Sequence, residues 1–183
     1  VGVALATVEI KGGDKLKAAL KKIEAQAKKG AMLKVGFLPD KTYPDGKPVA
    51  MIAAIQEFGA PKVRIPPRPY FRKMVAAKKG SWPADIGKLL LLNDYDGAKT
   101  LNLMGQRIKE DLQQSIIDTV APPLSAVTVM LRGMRSKGVV INKRALFEAI
   151  RRVKAGKTNY GASTKPLVDT ATMLSAVDFN VQP

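Results

Sequence analysis

Three arginines at four-residue intervals, Arg64, Arg68 and Arg72, are the residues of this sequence best suited to a definite interaction. A guanidinium carries forked donors that match a carboxylate geometrically. The three lie in Arg64-Ile65-Pro66-Pro67-Arg68-Pro69-Tyr70-Phe71-Arg72, where each proline fixes its own φ and restricts the residue before it. The spacing predicts a stiff, projecting arm over residues 60–73 that loses little entropy when a neighbour grips it. Just upstream, Glu57-Phe58-Gly59 closes a short helix, with Gly59 supplying a positive φ and Phe58 expected beneath the sheet. The candidate assembly interface is therefore Glu57, Phe58, Arg64, Arg68, Tyr70, Phe71 and Arg72. A second cluster sets Lys143, Arg144, Arg151, Arg152 and Lys154 against one carboxylate, Glu148. That balance suits contact with DNA or an acidic partner, beside the plainer reading of a solvated helix face.

Other patterns offer little chemistry. Gly156-Lys157-Thr158 resembles the end of a phosphate-binding loop, but the pattern needs a glycine at position 151, which is Arg151. Asp94 and Asp96 fit a polar turn that caps the helix after Gly97 better than they fit an acid–base pair. Pro66 to Pro69 meets the minimal PxxP spacing inside a segment expected to fold. The sequence has no histidine and no cysteine, which removes imidazole bases, thiolate nucleophiles, disulfides and the usual zinc and copper ligands. No cofactor and no catalytic or metal-binding residue is expected.

The 183 residues suffice for a single domain with a mainly aliphatic core. The net charge of +16 is uneven, at +11 over residues 1–79, −2 over 80–120 and +7 over 121–183. Basic outer segments around a near-neutral one suggest surfaces facing a polyanion or acidic partners. The longest aliphatic run, Leu89 to Leu92, is too short to span a bilayer, and the opening Val1-Gly2-Val3-Ala4 lacks a secretory n-region. A cytosolic or particle-borne protein is expected, with no membrane partner.

Periodicity supplies the elements. Val3, Leu5, Val8 and Ile10 suggest an opening strand, and Asp14 a cap for a lysine-rich helix ending near Gly30. Leu33 to Leu38 alternates as a strand, residues 39–47 form a polar connection, and Pro48 starts a helix through Glu57. Helices follow at about 74–79, after Ser81-Trp82-Pro83, and over Leu101 to Val120, which Pro122-Pro123 ends. Residues 131–165 form a basic loop and helix insertion, with Leu146, Ile150 and Val153 inward. A short helix from about Thr170 and a strand Val177 to Val181 close the chain. The class is α+β, a small and mostly antiparallel sheet packed against long helices, in a single domain 1–183.

Several blocks in order carry a resemblance. They are the opening strand and lysine-rich helix, Val35-Gly36-Phe37, Ala53 to Gly59, Ile65 to Phe71, Pro122-Pro123-Leu124-Ser125-Ala126-Val127-Thr128, and Lys165-Pro166-Leu167-Val168-Asp169-Thr170. Over most of its length the chain resembles the head–tail joining, or tail-completion, proteins of tailed bacteriophages. The resemblance implies a non-catalytic α+β subunit of the virion neck or head-proximal tail end. It implies a ring homo-oligomer, a hexamer or dodecamer, completing the tail and joining it to the head. Its neighbours would be a portal-side neck protein, a tail terminator or tail tube protein, and genomic DNA in the channel. Two departures stand out. The last block usually continues Asp-Thr-Gly, where this chain has Ala171, and the stretch from Leu131 to Lys165 is longer than the family needs. The rival readings are a non-specific nucleic-acid-binding protein and a carboxylate–metal enzyme, the latter without any constellation behind it.

Overall fold

A computed structural model describes residues 13–27, 30–157, 161–169 and 171–182. The expected opening strand, Thr158 and Thr170 lie outside them. Two strands, β1 (Met32–Phe37) and β2 (Val177–Gln182), pair antiparallel with Val35 opposite Phe179 and Phe37 opposite Val177. The described helices are α1 (Gly13–Ala27), α2 (Val49–Phe58), α3 (Tyr70–Lys78), α4 (Trp82–Leu92), α5 (Gly97–Asp118), α6 (Ala126–Ser136), α7 (Lys143–Lys154) and α8 (Thr172–Ser175). This is an α+β fold, mostly helical among the described residues.

The long helix α5 is the spine, in contact with both strands, α3 and α4. Its stripe of Met104, Leu112 and Ile116 is fully buried, as its three-and-four spacing requires. Asp96 caps it by accepting from the Lys99 amide at 3.0 Å, while Asp94 instead pairs with Lys22. Gly105 lets β2 sit close, since a Cβ there would lie 2.4 Å from the Phe179 ring. The main core adds Val49 and Ala53 of α2, Tyr70 and Met74 of α3, and Leu167, Met173 and Val177 near the C-terminus.

A smaller core joins α6 to α7 through Met130, Met134, Ala145 and Ala149. Here two expectations change. The insertion boundary at residue 131 falls inside α6, a helix that the glycine- and charge-rich run after it conceals. Ser125 starts that helix by accepting from the Thr128 amide at 3.1 Å. On α7 the deepest residues are Ala145 and Ala149, one turn apart, whereas Leu146 is exposed. Small alanines allow α7 to approach α6 closely, and the flexible methionines fill the seam.

Ala171 precedes α8 with φ 58°, a left-handed conformation, at the position where the resembled family carries glycine. Such a conformation costs a non-glycine residue about 1–2 kcal/mol. After allowing for the greater unfolded-state freedom of glycine, Ala171→Gly is expected to stabilise by about 0.5–1 kcal/mol. Thermal unfolding checks this, as a rise in Tm of about 2 °C.

Candidate functional site

Glu57 ends the apolar helix α2 yet is buried, at 4% exposure. Pro69, at the start of α3, has no side chain able to cap that helix. Glu57 does so from across the loop. Its Oε2 accepts from the Phe71 amide at 2.9 Å and its Oε1 from the Arg72 amide at 3.2 Å. The Arg72 guanidinium completes the grip, donating from Nε to the same carboxylate at 2.8 Å and to the Glu57 carbonyl at 3.1 Å. A carboxylate at a helix N-terminus satisfies free amides and meets the positive end of the dipole. Replacing it with Glu57→Gln turns an amide NH₂ toward these donors. The expected loss is about 1–3 kcal/mol, read as a lower urea midpoint with an unchanged slope.

Between Glu57 and α3 the chain doubles back. Gly59 takes φ 77°, and residues 60 and 65 bridge each other through Ala60 N to Ile65 O at 2.8 Å and Ile65 N to Ala60 O at 3.1 Å. A single 3-10 turn, Pro61–Val63, and a left-handed Arg64 complete the loop. Arg68 then turns inward. Its amide donates to the Gln56 carbonyl at 2.7 Å, its guanidinium to Gln56 Oε1 at 2.9 Å and to the Pro122 carbonyl at 3.1 Å. Only 4% of Arg68 is exposed. Burial, and then the nearby charge of Arg132, lower its pKa from the ordinary arginine value.

Tyr70 is buried on the other side, its hydroxyl donating to the Ala53 carbonyl at 3.0 Å and its ring edge-on to Phe37. Burial, reinforced by Glu57, pushes its phenol well above the usual tyrosine range. Its carbonyl accepts from Ser115 of α5 at 2.7 Å.

The expectation of an arm projecting over 60–73 is therefore corrected. The prolines do stiffen the segment, but Arg68, Tyr70 and Arg72 bond within the chain, and residues 70–72 are the first turn of α3. Glu57, Arg68 and Tyr70 are interior, so as an interface they are replaced by a structural role. Phe71 is half-buried. Phe58, expected under the sheet, is 65% exposed and lies beneath the Arg72 guanidinium at 4.9 Å. Of the seven residues, Phe58, Arg64 and Arg72 remain on the surface, beside the exposed Val63.

Arg132 of α6 is the hub residue that sequence reasoning missed. It donates to the carbonyls of Ser163 at 3.2 Å, Lys165 at 2.7 Å and Pro166 at 2.8 Å, and lies 3.5 Å from Asp169. Arg135 pairs with the same Asp169. The available signal was the Ser125 cap followed by Met130 and Met134 at helical spacing, which places Arg132 and Arg135 on one helix face. Beside this clamp lies a cleft of about 460 Å³, lined by Ile52, Gln56, Arg132, Asp169 and Met173 among others.

The second candidate cluster is a surface. Lys143, Arg144, Arg151 and Lys154 are exposed and Arg152 is partly so. Glu148 accepts from Arg151 at 2.9 Å and from Arg152 at 2.6 Å, and these bonds hold its carboxyl down to about 2. Lys143, Arg144 and Lys154 make no ion pair among the described residues. The described residues contain no group of three or more metal-ligating side chains, and none of their helices is long and apolar enough to cross a membrane. No protein-family model, curated protein or solved structure matches this chain.

Proposed function

We propose that this chain is a structural subunit of a tailed-phage neck, one that forms an oligomeric ring, completes the tail and joins it to the head. The observation that carries the reading is the meeting in space of the blocks on which the resemblance rests. Gln56 and Glu57 bind Arg68 and the first turn of α3, Arg68 reaches Pro122, and Arg132 gathers Lys165, Pro166 and Asp169. Blocks that would look like separate surface motifs serve one scaffold. That is what a binding subunit without catalysis needs, and it leaves Phe58, Val63, Arg64 and Arg72 for neighbours. The partners in this reading are copies of itself, a portal-side neck protein and a tail terminator or tube protein, within the virion.

A second reading, non-specific nucleic-acid binding, is favoured by the exposed Lys143, Arg144 and Lys154 of α7, which make no ion pair among the described residues. It is a charge-driven affinity that falls steeply as salt rises. Electron microscopy of a lysate from the encoding phage with this gene removed separates the two. Full heads beside unattached tails are expected, and tails of abnormal length would assign the terminator layer. Intact infectious virions would overturn the assembly reading and favour the second.

A further inference from the structure

The cleft beside the Arg132 clamp gathers more positive charge than its own carboxylates neutralise. Arg132 and Arg135 share one carboxylate, Asp169, and the other acceptors of Arg132 are neutral carbonyls. Through Gln56, another lining residue, the cleft abuts Arg68, which is buried and held only by the Gln56 side chain and the Pro122 carbonyl. Three guanidiniums thus stand against one carboxylate. Lys47 and Asp45, also in the lining, pair with each other and leave the excess unchanged. The cations feel one another as well. After burial, Arg135 lowers the pKa of Arg132, and Arg132 lowers that of Arg68. Buried charges are ordinarily paired, and a cleft lined by one sign of charge concentrates the opposite sign.

Donors remain free for a ligand. The Arg135 side chain is 50% exposed and bonds Asp169 through Nη2, leaving Nε and Nη1 without a described partner. Gln56 gives its Oε1 to Arg68, and its amide NH₂ donates to no described residue. Beside these donors Ile52, Leu167 and Met173 make the wall apolar, and the volume of about 460 Å³ falls in the range of ligand pockets. We propose that this cleft docks an acidic peptide segment of a partner protein, with a carboxylate against Arg135 and a neighbouring aliphatic side chain against Ile52 and Met173. The guanidinium fork matches a carboxylate, and the Gln56 amide suits a peptide carbonyl. The apolar wall selects an anion carried on an apolar stem over a bare one. A net charge of +16 draws an acidic partner from a distance. The site stands independently of the neck reading.

Titrating the full chain with N-acetyl-Leu-Asp-Leu amide, followed by methyl and amide NMR, tests this. The Gln56 side-chain NH₂ and the Ile52 and Met173 methyls are expected to shift together and saturate. The Asn counterpart of the peptide should bind at least tenfold more weakly. Arg135→Gln should lose the Asp peptide by a similar factor, with unchanged circular dichroism because the replaced side chain is half exposed. Arg135→Lys, which keeps the charge, should recover part of the affinity. Equal binding of the Asp and Asn peptides would overturn the proposal, leaving an apolar pocket indifferent to charge. Acetate or inorganic phosphate acting on the same signals as readily as the peptide would also overturn it, marking a small-anion site. Shifts confined to α7 would place the anion on the basic helix instead and reject the cleft. The absence of any shift at about 10 mM peptide would reject it too, since a Kd of about 1 mM would be nearly saturated there.

Discussion

Arg68→Glu is expected to destabilise the monomer by about 3–5 kcal/mol, from two charge-assisted hydrogen bonds lost and their buried acceptors left unpaired. The guanidinium bridges Gln56 Oε1 and the Pro122 carbonyl from a position only 4% exposed. A glutamate there places an anion against two acceptors and leaves all of them without donors. In a domain whose whole stability is about 5–15 kcal/mol, this is a large share. At about 2–4 °C per kcal/mol for this size, Tm should fall by roughly 10 °C. Arg68→Lys should recover only part, because one ammonium cannot hold both acceptors in the guanidinium's fixed fork. An unchanged Tm for Arg68→Glu would mean that the residue faces outward, as a projecting arm requires. By contrast, Phe58→Ala should move stability by no more than about 0.5 kcal/mol beyond the loss of its contact with Arg72.

Gly59→Ala carries the second large effect. At φ 77° a Cβ would lie 2.8 Å from the Pro67 nitrogen and 2.9 Å from the Ile65 carbonyl oxygen. Both are backbone atoms of a loop held by its own hydrogen bonds, so neither can yield cheaply. With ψ at 172° the residue lies in an extended positive-φ region that essentially only glycine adopts, which adds about 1–3 kcal/mol for alanine, and the overlap adds about 1–3 kcal/mol. A total of about 3 kcal/mol should appear as a lower denaturation midpoint. The same opening of the 60–69 loop should expose Arg68 and Glu57, so limited proteolysis near residues 60–65 should accelerate.

Much of the framework was legible in periodicity. The stripe from Leu101 to Ile116, the alternation around Val35 and the apolar spacing of α2 each report a local contact pattern that chemistry along the chain prescribes. The candidate site was less so. Local stiffness in Pro66-Pro67-Arg68-Pro69 is real, but stiffness does not say which way a segment points. Arg68 is buried because an acceptor 54 residues away, the Pro122 carbonyl, waits for it. No local pattern encodes that. Glu57 misleads for the same reason, since its donors belong to the first turn of another helix. On α7 the larger side chains suggested the inward face, whereas close helix approach selected Ala145 and Ala149. The left-handed turn at Ala171 was likewise hidden, because alanine does not favour that backbone shape and so does not announce it.

The proposed role, a ring-forming subunit of a tailed-phage neck, is tested by a reconstruction of the neck from purified virions. Under that proposal a ring of density is expected between portal and tail tube, into which α5, the two strands and the α6–α7 hairpin fit without rearrangement. Purified, infectious virions whose neck density excludes this fold, with the chain absent from their protein content, would contradict it.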